Sequence, residues 1–168
     1  MKSSSAAALA SRKSPAVRAI FWAGLVAGIL DLSFAGVSFL LRGKSLATLL
    51  KTIAGGALGR EALQGGPGSA ALGVFFHFSI SFGAAAVYYA ASRKISLLNH
   101  YALIAGLIYG LLVYEFMNAV VLPLSAYHKP LAFPPLFVAD VLSHLFFVGL
   151  TIALIVRHYN RNEPTRSP

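Results

Sequence analysis

With 168 residues, 57% of them hydrophobic, and a mean hydropathy of +0.72, the chain is too apolar for a water-soluble domain, in which apolar residues make up roughly half or less. Fourteen Lys and Arg against five acidic residues give a net charge of +9, but they gather at the ends of apolar runs, a pattern that orients a membrane protein and calls for no nucleic acid. The absence of cysteine excludes disulfides, thiolate metal sites and cysteine nucleophiles, so any site must use His, carboxylates and hydroxyls.

Residues 1–17 are rich in Ser and Ala, carry Lys2, Arg12 and Lys13, and show no apolar period, so they read as a disordered basic tail. The run from Ala19 to Leu41 is about 23 residues long, beyond the roughly 7–15 of a signal-peptide core, and no cleavage site follows it. It is the first membrane span. In the loop that follows, Leu46, Leu49, Leu50 and Ile53 recur at helical spacing while Ser45, Thr48, Lys51 and Thr52 face the other way. This predicts a short interfacial helix ended by Gly55-Gly56, with a re-entrant segment as the alternative. Gly65-Gly66-Pro67-Gly68 makes a turn, and Ser69 is placed to cap the second span.

Three more runs, 70–91, 101–122 and 134–156, reach the roughly 20 residues needed to cross the hydrocarbon. Between the last two, Pro123, Pro130 and Pro134-Pro135 stiffen the second loop, and residues 159–168 form a flexible tail. The expected fold is all-α: a polytopic membrane protein whose transmembrane domain, 18–158, is a four-helix bundle with a short interfacial helix in the first outer loop. Four crossings put nine basic residues on the side of the termini and the 92–100 loop, and five on the other (Arg42, Lys44, Lys51, Arg60 and Lys129). That bias predicts both termini in the cytoplasm. Trp22, Tyr88, Tyr89, Tyr101 and Tyr159 then form an aromatic belt at the inner interface.

Asp31, Glu115 and Asp140 lie within apolar spans, as do His77, His144 and Asn118. A carboxylate facing lipid costs several kcal/mol, so each should point into the bundle, be protonated or be paired. Counted along each span, the acids and histidines fall at one depth, a little past the midplane, so four helices contribute to one polar layer. Gly24, Gly28, Asp31 and Ala35 form one stripe of the first span, where the glycine pair allows close helix approach. Gly73, His77, Ser81, Ala84 and Tyr88 form a similar stripe on the second. On the third, Glu115 and Asn118 are i,i+3 neighbours, with Gly106 and Gly110 more than a quarter-turn away. On the fourth, Asp140 and His144 stand at i,i+4 with Thr151 on the same face, an arrangement in which a carboxylate holds the imidazole tautomer. An acid then a His in each half suggests two related hairpins.

From the second span onward the chain resembles the YagU-like bacterial inner-membrane proteins, a family whose molecular activity is not established. The residues that carry this are His77, Leu103-Ile104-Ala105-Gly106, Leu122-Pro123-Leu124 and Ala139-Asp140-Val141-Leu142-Ser143-His144. The family pattern has Glu where this chain has Asp140 and Gly where it has Ser143, and this first loop is much shorter. The resemblance covers about half the chain and implies a bacterial inner-membrane location, with no substrate or catalytic residue.

Three readings of the polar layer stand side by side. As a proton or small-solute pathway, Asp31, His77, Glu115, Asn118, Asp140 and His144 are the parts of a relay, and so few helices call for a homo-oligomer to complete it. As a structural device, the same groups hold the helices together by hydrogen bonds. As a metal or haem site, His77 and His144 supply nitrogen while Asp140 or Glu115 supplies oxygen. No cofactor is called for by any motif. Enzymatic chemistry is the weaker expectation, since Ser79, Ser81 and Ser143 lack a Gly-x-Ser-x-Gly context and no phosphate loop is present.

Overall fold

A computed structural model describes residues 15–126 and 137–161, all in helices and short turns with no strand among the described residues. Four helices are long and apolar enough to cross a membrane: α1 (Pro15–Leu41), α3 (Pro67–Lys94), α5 (Ala102–Leu124) and α6 (Phe137–Arg161). The loop after α1 holds α2 (Leu46–Leu58) and a 3-10 turn over Gly59–Gln64. A single helical turn, α4 (Ser96–His100), joins α3 to α5. The four-span bundle with a loop helix is therefore the fold. Residues 1–14 of the tail expected at 1–17, residues 162–168 of the tail expected at 159–168, and the proline-rich segment 127–136 with the expected start of the fourth span at Pro134 lie outside the described residues.

Several boundaries differ from those expected. The first span begins at Pro15, and the fourth runs on to Arg161 through residues expected to be tail. Pro suits a first helical turn because its missing N–H would have no partner there. The first span closes where Lys44 N and Gly43 N donate to the carbonyls of Phe39 and Leu40, with Gly43 at φ 70, a backbone conformation that glycine adopts without strain. Gly55-Gly56 does not end α2. The helix passes through both residues to Leu58 and stops at Gly59, φ 74, because Ala54 and Gly55 are buried and packing against α3 carries the helix past them. Ser45, not Ser69, supplies a side-chain cap, accepting from Thr48 N at 3.2 Å. The second span instead starts at Pro67 behind Gly66.

Helix order across the bundle is α3, α1, α6, α5, with α3 also reaching α6. Sequence neighbours α3 and α5 scarcely touch. Arg18 lies over the ring of Tyr159 at 5.6 Å and Asn160 bonds to Ser92 and Asn99, so the start of α1 and the end of α6 share one end of the bundle with α4. The core is made of small residues (Ala23, Ala27, Ala85, Ala102 and Ala153) around Tyr88, Ile152 and Val156. Large apolar side chains such as Phe75, Leu103 and Leu112 face outward at about 60% exposure. This is the pattern expected in lipid, where close backbone approach drives helix association. Tyr88, expected in an interfacial belt, is only 2% exposed. Its hydroxyl donates to Leu98 O at 3.2 Å and its ring meets Tyr109 edge-on.

Candidate functional site

The seam between α1 and α3 follows the glycine stripe. Gly24 and Gly28 lie against Phe82 and Phe78, where a Cβ would collide with them. On α3, His77 Nε2 donates to Gly28 O at 2.9 Å, and one turn later Ser81 Oγ donates to Gly24 O at 2.7 Å. The two i,i+4 pairs thus clamp antiparallel helices side chain to main chain. With a carbonyl as acceptor, His77 must carry its proton on Nε2. Asp31, one turn past Gly28, is half-buried.

The seam between α5 and α6 is built differently. Ala102, Gly106, Gly110 and Tyr114, spaced by four, are the buried face of α5, and Asn118 continues that row, donating to Tyr114 O at 2.9 Å. The backbones meet directly: a Cβ at Gly149 would fall on the main chain of Gly106 and Gly110, and one at Gly110 on that of His144 and Leu145. Both helices widen here into π-helical turns, over Met117–Val121 in α5 and His144–Leu150 in α6. Such turns are rare and concentrate at functional sites. Thr151 Oγ1 donates to Phe146 O at 3.2 Å, five residues back, filling the widened turn.

His144 opens the π turn of α6. Its Nδ1 donates to the main-chain carbonyl of Asp140 at 2.9 Å, so that carbonyl holds the tautomer, where sequence spacing had suggested the carboxylate. The imidazole ring also meets the Tyr114 ring edge-on at 5.2 Å. Tyr114 in turn lies within electrostatic reach of both the Asp140 and Glu115 carboxylates. Glu115 itself is exposed, although an interior position was expected. The reason is angular: Tyr114 takes the packing row, and the next residue is turned about 100° away from it.

Glu115 borders an apolar groove of about 730 Å³ between α3 and α5, floored by Gly83, Ala84 and Tyr109 and walled by Leu112, Phe116 and Val120. Tyr109 bridges the two helices by donating to Ala84 O at 2.7 Å. The chain matches no family model, no curated protein and no solved structure. Its own geometry is what bears on function.

The expected single layer is thus divided between two seams and a groove. His77 belongs to α1–α3 with Asp31 one turn from its acceptor Gly28, Asn118 and His144 lie beside Tyr114 near α5–α6 with Asp140 one turn before His144, and Glu115 faces the α3–α5 groove. Among the described residues no three His, Asp or Glu side chains are placed to hold one metal ion, so the set His77, His144, Asp140 and Glu115 is not assembled as a metal centre. Tyr114 was missed by sequence reasoning. Its signal is the four-residue spacing from Ala102 through Gly106 and Gly110, the glycines that lie more than a quarter-turn from Glu115. His100 and His158 lie exposed near the terminal end, and His128 lies outside the described residues.

Proposed function

We propose that this integral membrane protein exchanges protons, or a small solute coupled to them, at the Tyr114–Glu115–Asp140–His144 group. The observation that carries the reading is Glu115. Its carboxylate opens on the groove and has no hydrogen-bond or ion-pair partner among the described residues, while one residue away Tyr114 touches an imidazole whose Nε2 is also without one. A carboxylate and a histidine with open proton positions, on either side of a tyrosine whose ring meets the imidazole, are elements a relay can use, and ionisable groups at membrane depth mark such pathways. Four spans enclose little space, so a homo-oligomer completes the pathway. The structural reading is favoured at the other seam, where His77 and Ser81 are spent on main-chain carbonyls.

The basic bias of the terminal end supports cytoplasmic termini, and the resemblance to YagU-like proteins supports a bacterial inner membrane. A periplasmic-reporter fusion at Pro168 should be inactive; an active fusion overturns that orientation. The functional test is proton flux into liposomes containing the purified chain. Glu115→Gln and His144→Ala should each lower flux by about tenfold or more, as for loss of a positioned proton-transfer group, while His77→Ala leaves it within about twofold. Flux equal to protein-free liposomes, or a loss confined to His77→Ala, sinks the proposal.

A further inference from the structure

The groove between α3 and α5, about 730 Å³ in volume, falls within the roughly 300–1,000 Å³ of sites that take drug-sized ligands. Its floor at Gly83 is open, with nothing within 4 Å of where a Cβ would stand. Tyr109 is fixed in the lining by its bond to Ala84 O and by edge contact with the Tyr88 ring at 5.0 Å, and Phe116, 57% exposed, adds a second ring. Met117, Ala119 and Val120 of the α5 π turn line it as well. Within this apolar lining Glu115 is the one charged side chain among the described residues.

That combination specifies a ligand. A carboxylate at membrane depth is protonated or paired with positive charge. A small inorganic cation calls for roughly six oxygen ligands, where the groove offers one carboxylate. An organic cation needs fewer polar partners: its apolar body is buried against the aliphatic wall, its charge lies against Glu115, and aromatic rings attract a cation that has shed its water. Entry is from the bilayer, because Leu112 and Phe116 on the wall are more than half exposed. We propose that the groove binds a lipophilic organic cation, with Glu115 as its counter-ion. The proposal rests on the reading of Glu115 as an exchanging carboxylate and names the solute. As the ion pair forms, the O–H bond of the protonated carboxyl breaks and one proton leaves to water for each univalent cation bound.

The test is equilibrium dialysis of the full chain in detergent against tetraphenylphosphonium and, separately, tetraphenylborate, which has the same shape and the opposite charge, each corrected for uptake by empty micelles. The phosphonium should bind saturably and the borate far more weakly. Glu115→Gln keeps the size of the side chain and should weaken phosphonium binding about 30-fold, as for removal of one partner of a desolvated charge pair. Gly83→Leu, which fills the open floor, should abolish it. The comparison of the two ions needs no variant, so it decides the matter even if Gly83→Leu does not fold. Lys129→Gln, at a position outside the described residues, should leave binding unchanged; tighter binding there means that the lysine already counters Glu115 and overturns the proposal. So does equal binding of the two ions, no saturable phosphonium binding, or binding kept in Glu115→Gln, the groove then holding an acyl chain or a helix of a second copy. Phosphonium binding that needs Glu115, with no proton flux in liposomes, sinks the relay and keeps the cation site; flux that needs Glu115, with no phosphonium binding, does the reverse.

Discussion

The two long faces of α5 are opposites. Toward α6 its backbone is in contact with its neighbour through Gly106, Gly110 and Gly149, with no side chain between. Toward α3 it stands off, leaving a groove crossed, among the described residues, by Tyr109 and its contacts. Only 11% of the apolar window of α5 is buried, against 28% for α1 and α6. In lipid, apolar area does not by itself draw helices together, so small residues decide which faces close. The α5–α6 face has them in register and closes. Opposite it, Leu112, Phe116 and Val120 keep α3 at a distance.

The contrast can be broken most forcefully at Gly149. Gly149→Ala puts a methyl group into main-chain atoms on α5 and should destabilise the protein by about 1–3 kcal/mol, as overpacking does, read from unfolding in detergent. Gly83→Ala, on the groove floor where nothing stands within 4 Å of the new carbon, should stay within about 0.5 kcal/mol of native. Equal effects at the two sites would mean that the groove is filled by helix contact in the membrane.

A smaller effect separates the two histidines. His77→Ala removes an interhelical hydrogen bond and should cost about 0.6 kcal/mol, reaching about 1.7 at most. His144→Ala removes a bond within its own helix and should cost less stability while costing more flux. The reverse order would exchange their structural and functional roles. Smallest is Tyr109→Phe, which deletes a hydroxyl that bridges the groove to Ala84 O. It should cost about 0.6 kcal/mol or less and quicken hydrogen exchange in α5 around Tyr109; unchanged exchange would show that the ring contact with Tyr88 suffices.

How much of this was legible depended on how each feature is encoded. The clamp of α1 on α3 could be read in outline, because Gly24 and Gly28 on one helix and His77 and Ser81 on the other repeat every four residues and mark matching stripes. At α5 the same logic led elsewhere. Glu115 drew attention as the charged residue and was assigned an interior place, while the stripe ending at Tyr114 was the packing face. In a spanning helix both faces are apolar, so hydrophobic periodicity carries little information about which one is covered, and a charge need not turn inward if a groove lies beside it.

The amino-acid sequence alone determined the number of spans, the all-α class and the common side of the two termini, because the length of an apolar run and the need to satisfy every backbone group in lipid leave few alternatives. Only the tertiary structure decided that α3 and α5 stand apart, that both helices of the α5–α6 seam widen into π turns, and that the polar residues divide between two seams and a groove. Those outcomes depend on which helices become neighbours, and that is set by backbone approach between residues far apart in the chain.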